Sequence, residues 1–282
     1  MPNPYIPFIL PNDDLIDINK IINKLINANT KIAVYNEKLK NSKIRSELLM
    51  DLLSLKEAME STKIEGTQVT MDEMFEYKAD EKHPTNDITE VINYYTALKI
   101  GEDLLRTLPI SSRFIKKLHE ILMSGNVRGG NKSPGNFRTT QNYIGPKGCT
   151  IETASFVPPE PQLVDEYMSN LEKYINEYDD INDLIKLAII HSQFETIHPF
   201  LDGNGRIGRI LIPLYLFDKK ILRNANFFVS ESLEKDKFKY YQLLNNTRVV
   251  ITDEEDNKEQ YLKDMQTAKN NFTEWVEFFL ES

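Results

Sequence analysis

The sequence predicts an all-α protein whose helices are interrupted by one irregular segment. Apolar residues recur every three or four positions along most of the chain, the spacing that places them on one face of a helix. Glycine is scarce, with 11 residues in 282, and many of the glycines and prolines fall between residues 125 and 161. We therefore expect a helical bundle that contains a long loop or hairpin.

The overall composition argues against several classes of protein. Asp and Glu outnumber Lys and Arg by 43 to 34, and a net charge of −9 does not suit nucleic-acid binding, which needs a basic surface. The single cysteine, Cys149, cannot form an intramolecular disulfide, which fits a reducing compartment. No stretch reaches the roughly 18 apolar residues of a membrane span, and the N-terminus lacks the basic segment of a signal peptide. We expect a cytoplasmic protein that does not enter a membrane.

Three amphipathic segments are predicted within residues 1–110, which we expect to form an N-terminal helical region. Their apolar faces are Ile16, Ile21, Ile22, Leu25 and Ile26; Leu48, Leu49, Leu52, Leu53 and Leu55; and Val91, Ile92, Tyr95, Leu98, Leu104 and Leu105.

Residues 111–250 are expected to form the core of the protein. After the irregular segment, residues 181–194 are apolar nearly all round, which indicates a helix at the centre of a bundle. A short polar loop leads to another apolar helix over about residues 206–216, with Pro213 as a candidate kink. Residues 251–282 begin with an acidic stretch and are expected to form a C-terminal helical tail.

The loop between these two central helices concentrates groups that suit a phosphate-containing ligand. Gly203-Asn204-Gly205 can turn successive N–H groups inward at the start of the second helix, which makes an anion site. Arg206 and Arg209 are three positions apart, so they share one face of that helix and suit a di- or triphosphate.

Two further side chains complete the chemistry of this loop. Asp202 is the hard oxygen ligand that Mg²⁺ prefers beside phosphates, and His198 can accept a proton near neutral pH. Together these parts suit in-line attack at phosphorus. Taken singly, each has an ordinary structural interpretation as a turn, a solvated arginine or a core histidine. Their concentration in one short loop favours the functional interpretation.

A zinc site is an alternative use of the same histidine. His191, Glu195 and His198 are spaced so that a helix would align all three as ligands. However, Pro199 follows at once and the helix is expected to end near Thr196. His191 lies in a nearly all-apolar helix, so we expect it to be a core histidine.

The segment from His198 to Arg209 resembles the signature of the Fic family, HPFx[D/E]GNGRxxR, at every defined position. Other segments are similar to the family's flap region and adenine site, and the resemblance covers about residues 45–280. They are Pro134-Gly135-Asn136-Phe137-Arg138, Gln141-Asn142-Tyr143-Ile144-Gly145, Phe156-Val157-Pro158-Pro159 and Tyr240-Tyr241. The resemblance implies an all-α Fic-fold helical bundle with a short β-hairpin flap.

The resemblance also implies a role for each residue of the site. His198 would deprotonate a target hydroxyl, and Asp202 would hold Mg²⁺ on the α- and β-phosphates of ATP. The flap would add a strand to the target segment. The other implied contacts are phosphate binding by Gly203, Asn204 (with its side chain as well), Gly205, Arg206, Gly208 and Arg209, adenine contacts by Tyr240 and Tyr241, and target contacts by Ile144, Gly145 and Phe156.

The implied activity is that of a protein adenylyltransferase, which transfers AMP from ATP to a Tyr, Thr or Ser hydroxyl and releases pyrophosphate. In the related Doc toxins, a lysine replaces the second glycine of the nest and the γ-phosphate is transferred instead. Gly205 at that position favours AMP transfer. The implied partners are ATP and a protein target, which can be the protein itself, and a homo-oligomer is a further expectation.

The segment from Ser61 to Gly66 resembles the family's inhibitory motif, [S/T]xxxE[G/N]. Gly66 is typical of a helix C-terminus, and Ser61 and Glu65 are spaced to share one helical face, so we expect an inhibitory helix over about residues 48–66. The resemblance implies that Glu65 pairs with Arg209 and keeps it from the γ-phosphate.

Two alternatives stay open. One is AMP removal, for which some family members use the same glutamate to align a water, or transfer of another nucleotide such as UMP or GMP. The other is a regulatory protein with a DNA-linked role, because many similar proteins carry a winged-helix domain after a Trp-x-x-Phe-Phe-Leu helix. Here only Glu281 and Ser282 follow that helix, and no basic recognition helix is visible, so DNA binding is not expected of this chain.

Overall fold

The computed structural model describes residues 3–42, 46–80, 84–146, 148–177 and 180–282. The described part of the chain is mainly helical, which confirms the predicted all-α class. Its α-helices are α1 (Ile18–Lys40), α2 (Ser46–Ile64), α3 (Met71–Asp80), α4 (Asn86–Leu104), α5 (Ser112–Leu122), α6 (Val164–Asn176), α7 (Asp183–Ile197), α8 (Asn204–Asp218), α9 (Ser230–Lys235), α10 (Lys237–Asn246) and α11 (Lys258–Glu281).

The predicted β-hairpin flap is reduced to one antiparallel bridge, between Ile144 and Phe156, in the described residues. The Ile144 N–H donates to the Phe156 carbonyl at 2.9 Å, and the Phe156 N–H donates back to the Ile144 carbonyl at 3.1 Å. Pro146 and Pro158 flank the bridge on its two sides. Because proline has no N–H to donate, a longer ladder cannot form through these positions.

The chain divides into two compact units, and the first contains residues 1–29, 138–199 and 238–282. Helix α7 lies at the centre of this unit, and every residue from Leu184 to Ile197 is buried. The Trp275 indole of α11 donates to the Ala188 carbonyl of α7 at 2.8 Å. The predicted central helix is confirmed, and it ends one residue beyond Thr196.

The second unit contains residues 30–137 and 200–237. Helices α4 and α8 pack closely in its core, because a Cβ added to Gly101 of α4 would lie 2.7 Å from Leu214 of α8. Pro213 lies inside α8 but does not end it, and the helix continues to Asp218. The helices of this unit carry most of the polar groups of the candidate site.

No helix in the described ranges combines the length and the apolar character that crossing a bilayer requires. The division of the chain at residues 110 and 250 stays a prediction.

Candidate active site

The N-terminus of α8 is formed by the glycine-rich turn that the sequence singles out. Gly203 has φ +78°, in the left-handed region that favours glycine, and α8 begins at the next residue. The first amide groups of an α-helix lack acceptors within the helix, and the helix dipole favours negative charge there. The turn therefore presents an anion-binding surface of the kind that binds phosphate.

The side chain of Asn204 closes this turn rather than facing outward. Its Oδ1 accepts a hydrogen bond from the Phe200 N–H at 2.8 Å, and its Nδ2 donates to the Phe200 carbonyl at 2.8 Å. The Asn204 side chain is buried. In this arrangement the backbone N–H of Asn204 is the group suited to an anion, and its side chain holds the loop in shape.

The Asp202 carboxylate lies at the entrance to the turn, between two basic side chains. Its Oδ1 accepts a hydrogen bond from the Gly203 N–H at 2.8 Å and lies 3.3 Å from Nη2 of Arg206. Its Oδ2 lies 3.0 Å from Nζ of Lys132. About a quarter of the Asp202 side chain is exposed, at 26%, so the carboxylate is reachable from solvent.

The donor set around Asp202 fits a cation that arrives with a nucleotide. Among the described residues, no group of three or more His, Cys, Asp or Glu side chains is arranged to hold a metal ion. Mg²⁺ in nucleotide sites is commonly held by one or two carboxylates together with substrate phosphates and water. A single reachable carboxylate beside a phosphate-binding turn fits that mode and not a site built from protein ligands alone.

Arg209, on the second turn of α8, is fully buried and held by the C-terminal end of α2. Its Nε donates to the Ser61 hydroxyl at 2.8 Å, and its Nη2 donates to the Ser61 carbonyl at 3.1 Å. The same Nη2 donates to Oε1 of Glu65 at 2.6 Å. The structure thus brings together the residues of the two sequence motifs, which are 144 positions apart for Glu65 and Arg209.

The charge of Arg209 controls the ionisation of Glu65. Burial raises the pKa of the Glu65 carboxyl, but the charge and the hydrogen bond of Arg209, with help from Arg206 and Lys237, hold the pKa below its ordinary value. Gly205 lies directly beside the pair, since a Cβ there would be 2.5 Å from Oε1 of Glu65. The carboxylate therefore stays charged at neutral pH and occupies the space that a side chain at position 205 would fill.

Arg206 is also buried, and it faces a carboxylate that sequence reasoning missed. Its Nη1 lies 3.6 Å from Oε2 of Glu90, a residue of α4 that is 1% exposed. Burial raises the pKa of Glu90, but hydrogen bonds from Arg128 and Thr67 and the charge of Arg206 lower it by more, so the pKa lies below its ordinary value. A buried anion thus holds Arg206 in place behind the anion-binding turn.

His198 belongs to the first unit and ends α7 in an unusual backbone conformation. It has φ +49° and ψ +60°, in the left-handed region, and its N–H donates to the Phe194 carbonyl at 3.0 Å. The buried Arg138 side chain donates through Nε to the His198 carbonyl at 2.9 Å. Burial lowers the pKa of Arg138 to about 10. Arg138, part of the segment that resembles the flap region, therefore fixes the backbone at the predicted base.

The other predicted residues of the first unit divide into buried and exposed groups. Ile144 and Phe156 form the bridge, and the Phe156 ring lies 3.8 Å below the Arg248 guanidinium. Tyr240 is buried, whereas Tyr241 is 43% exposed. Of the two tyrosines, only Tyr241 has a ring surface available to an adenine base.

The zinc alternative does not match the surroundings of its histidine. The Nε2 atom of His191 lies 2.9 Å from the Tyr240 hydroxyl, and its ring stacks on Trp275 with centroids 5.9 Å apart. His191 is buried, as expected for a core histidine.

Two family models match this chain over most of its length. The model described as Fic/DOC family matches residues 109–216, and the model described as Fic/DOC family N-terminal matches residues 22–103. The chain belongs to the Fic/DOC family.

Similar proteins agree with the Fic/DOC assignment. A probable protein adenylyltransferase of Aquifex aeolicus is 28% identical over 196 residues, which is 68% of this chain and 58% of that protein. The protein adenylyltransferase fic-1 of Caenorhabditis elegans is 34% identical over 92 residues, 31% of this chain and 16% of that protein. The chain thus spans less than two thirds of the length of either relative.

A solved structure supports the Fic fold. The crystal structure of a Fic family protein from Desulfovibrio desulfuricans superposes with a TM-score of 0.66 at 20% identity, and covers 98% of this chain and 75% of that one. At this identity the likeness shows the fold alone.

His119 of this Fic/DOC chain also supports the phosphate turn, although no sequence motif indicates it. Its Nδ1 accepts a hydrogen bond from the Gly135 N–H at 2.9 Å, so Nε2 carries the proton and donates to the Asp202 carbonyl at 3.0 Å. Its ring stacks on Phe200 with centroids 3.7 Å apart. Burial lowers the pKa of His119 to about 4, so this imidazole is neutral at pH 7.

Proposed function

We propose that this chain is a protein adenylyltransferase that transfers AMP from ATP to a Tyr, Thr or Ser hydroxyl and is inhibited by its own Glu65. The observation that carries the proposal is the arrangement at α8, where an anion-binding turn, the Asp202 carboxylate and two buried arginines occur within eight residues. Membership of the Fic/DOC family and the adenylyltransferase names of the relatives support the same activity.

In the proposed reaction, His198 takes the proton of the target hydroxyl. The hydroxyl oxygen forms a bond to the α-phosphorus of ATP, and the bond between that phosphorus and the oxygen of the β-phosphate breaks. Pyrophosphate leaves with the electron pair of the broken bond. The backbone N–H groups at the start of α8, with Arg206 and Arg209, stabilise negative charge on the phosphates.

Asp202 is the residue that would hold Mg²⁺ on the nucleotide. The ion would neutralise charge on the phosphates when bound. Lys132 and Arg206 lie 3.0 and 3.3 Å from the Asp202 carboxylate, so Lys132 would compete with the ion for Oδ2.

Inhibition by Glu65 is proposed to act through Arg209. The Nε and Nη2 donors of the fully buried Arg209 are engaged by Ser61 and Glu65, and a γ-phosphate would need donors of this arginine. ATP bound beside an engaged Arg209 would lie in a pose that does not suit transfer.

Labelling with α-³²P-ATP and Mg²⁺ tests the proposal on wild type, Glu65→Gly and Glu65→Gly/His198→Ala. We expect label on protein with Glu65→Gly and none with the double variant. If Glu65→Gly takes up no label from α- or γ-labelled ATP, even with a lysate as the source of targets, the transferase proposal is wrong.

AMP removal is a second candidate that one observation favours. The Glu65 side chain is 32% exposed, so its carboxylate can contact a water molecule as well as Arg209. Release of labelled AMP from a target premodified by Glu65→Gly, faster with wild type than with Glu65→Gln, would support this candidate. Parallel assays with UTP, GTP and CTP would establish the choice of base.

The remaining sequence-based expectations are part of the same proposal. These are the inhibitory helix over about residues 48–66, the core over 111–250, a cytoplasmic location, self-modification and a homo-oligomer. Size-exclusion chromatography with light scattering would test the last of these directly.

A further inference from the structure

The C-terminal end of α2 is capped by basic side chains from three different parts of the second unit. The last carbonyls of an α-helix lack donors within the helix, so cationic donors stabilise that end. Arg209 donates to the Ser61 carbonyl at 3.1 Å, and Arg128 donates to the Glu65 carbonyl at 2.9 Å. Lys237 donates to the Ile64 carbonyl.

Arg128 is part of a closed ring of hydrogen bonds with Thr67 and Glu90, which we call the Arg128 clasp. Its Nη2 donates to the Thr67 hydroxyl at 3.0 Å and to Oε2 of Glu90 at 3.0 Å. Its backbone N–H donates to Oε1 of Glu90 at 3.1 Å. The Thr67 hydroxyl donates to Glu90 at 2.5 Å, and both of these partners are buried.

The Arg128 clasp and Arg209 hold the same residue at two different points. Arg128 bonds the backbone carbonyl of Glu65, and Arg209 bonds its carboxylate. Glu65 lies just beyond the last residue of α2, and Gly66 follows with φ +96°. The backbone at this point lies beyond the regular helix, where the Glu65 N–H still donates to the Thr62 carbonyl at 3.0 Å, and the Arg128 contact adds a hydrogen bond from another segment.

We propose that Arg128 is a positioning residue for inhibition, which holds the Glu65 backbone so that the Glu65 carboxylate reaches Arg209. The proposal rests on the proposed function, in which Glu65 restrains Arg209. Arg128 lies outside both sequence motifs, and its side chain is 51% exposed. In this role it acts on the reaction through Glu65.

The same clasp joins the end of α2 to the phosphate turn through a shared anion. Oε2 of Glu90 accepts from Arg128 and lies 3.6 Å from Nη1 of Arg206. The charge that anchors the clasp therefore also faces a predicted phosphate-binding arginine. Loss of Arg128 leaves Glu90 with Arg206 as its remaining cationic neighbour in these contacts, so Arg206 keeps its partner while the end of α2 is released.

Epistasis between Arg128 and Glu65 tests the proposal with the full chain. Labelling from α-³²P-ATP and Mg²⁺ is compared for wild type, Arg128→Gln, Glu65→Gly and Arg128→Gln/Glu65→Gly. We expect Arg128→Gln to raise labelling at least about fivefold, since two hydrogen bonds from a charged donor to the end of α2 are lost. We expect the double variant to match Glu65→Gly within about twofold, because Arg206 keeps Glu90 as its partner when Arg128 is lost.

Arg106→Gln is the matched control. Arg106 is an exposed arginine of the same unit that pairs with Asp103, and its loss should leave labelling at the wild-type level. Thr67→Val removes a hydroxyl of the clasp without removing a charge, and it should shift labelling in the same direction as Arg128→Gln. This second variant keeps the test decisive if Arg128→Gln does not fold.

Two labelling results would overturn the proposal while the proposed function stands. One is strong labelling by Glu65→Gly with wild-type labelling by both clasp variants. The other is an equal fold-change in labelling from Arg128→Gln in the wild-type and the Glu65→Gly backgrounds. That result would mean that Arg128 acts directly at the nucleotide.

Hydrogen exchange separates failure of the clasp from failure of the proposed function. The amides of Glu65 and Thr67 both donate to the Thr62 carbonyl, at 3.0 and 3.1 Å. Their exchange should become several-fold faster in Arg128→Gln and stay unchanged in Arg106→Gln. If Glu65→Gly is inactive, faster exchange of these amides in Arg128→Gln still supports the role of Arg128 in positioning Glu65. Unchanged exchange overturns that role.

Discussion

Oε1 of Glu65 accepts a hydrogen bond from Nη2 of Arg209 at 2.6 Å, and the arginine has no exposed surface. A charged pair of this kind, sheltered on one side, is stronger than a solvent-exposed pair. This contact and other polar groups of the second unit can each be tested by substitution.

The first prediction concerns the charge of Glu65. Glu65→Gln keeps the shape of the side chain but removes the charge that attracts Arg209, so AMP transfer should rise about tenfold or more, the equivalent of one charged hydrogen bond. The measurement is the initial rate of labelling at saturating ATP. Glu60→Gln is the control, because Glu60 lies on the same helix and pairs with Lys63 instead. Equal rates for the two variants would contradict the role of Glu65.

The same pair predicts how inhibition depends on pH. The folded-state pKa of Glu65 lies below its ordinary value of 4.5, so the ion pair is fully formed above pH 4.5 and is lost only as pH falls through the lower value. The ratio of Glu65→Gly to wild-type activity should therefore stay constant between pH 6 and 9. A ratio that falls steadily across this range would show that another group controls the brake.

A second prediction concerns Glu57, a buried carboxyl of α2. It accepts hydrogen bonds from the Val229 and Ser230 N–H groups, both at 3.0 Å, and from the Tyr94 hydroxyl at 3.1 Å. Burial raises the pKa of Glu57 to about 7, and these hydrogen bonds offset only part of that effect. Between pH 4.5 and about 7 the folded state holds a proton that the unfolded state has released.

The free energy of unfolding should therefore fall by about 3 kcal/mol as pH rises through that window, with no further change above it from this group. Glu57→Gln is isosteric and cannot titrate, so it should remove this slope. Urea denaturation of both proteins at pH 5, 6, 7 and 8 provides the measurement. Parallel curves for the two proteins would mean that Glu57 does not titrate in this range.

A third prediction concerns His119 and the shape of the phosphate turn. His119→Phe keeps a ring that can stack on Phe200 but removes the donor to the Asp202 carbonyl. An unsatisfied carbonyl should cost about 1–3 kcal/mol of stability and weaken binding of a non-hydrolysable ATP analogue. Calorimetry measures both effects, with the exposed Glu120→Gln of the same helix as control. Lowered stability with unchanged affinity would limit His119 to a structural role.

A fourth prediction concerns Lys132, whose ammonium lies 3.0 Å from Oδ2 of Asp202. If Lys132 competes with Mg²⁺ for Asp202, Lys132→Met should lower the Mg²⁺ concentration that gives half-maximal binding of the ATP analogue. We expect a decrease of about two- to fivefold, because a partly exposed ion pair contributes little free energy. Mn²⁺ binding followed by electron paramagnetic resonance gives the same comparison without activity. The exposed Lys117→Met is the control. A higher metal requirement in Lys132→Met would show that the lysine assists binding.

The sequence was sufficient for the parts of the site that lie close together in the chain. The apolar stretch over residues 181–194 predicts the central helix α7, Pro199 places its C-terminal end within one residue, and the composition of the glycine turn predicts the start of α8. Gly66 has the positive φ that its position after α2 predicts. These features depend on local backbone preferences, which adjacent residues determine.

The buried partners could not be selected because their importance depends on contacts between distant segments. Glu90 does carry a weak signal, since it shares a helical face with the buried residues Tyr94, Ala97 and Gly101. An acidic residue on such a face needs a buried partner, but the sequence does not identify Arg128 or Arg206 as that partner. The flap is a different case, because the prolines that limit its ladder are visible in the sequence, where their general effect is to indicate a loop.

Gly205 is important both for the type of transfer proposed for this site and for its proposed inhibition by Glu65. The space beside Gly205 is already filled by the Glu65 carboxylate, 2.5 Å from where a Cβ would be. A lysine there, as in the Doc toxins, would compete with Glu65 for that space and would place a second cation next to Arg209. A change of this glycine to lysine would therefore also disturb the proposed restraint of Arg209 by Glu65, so both proposed properties depend on one position.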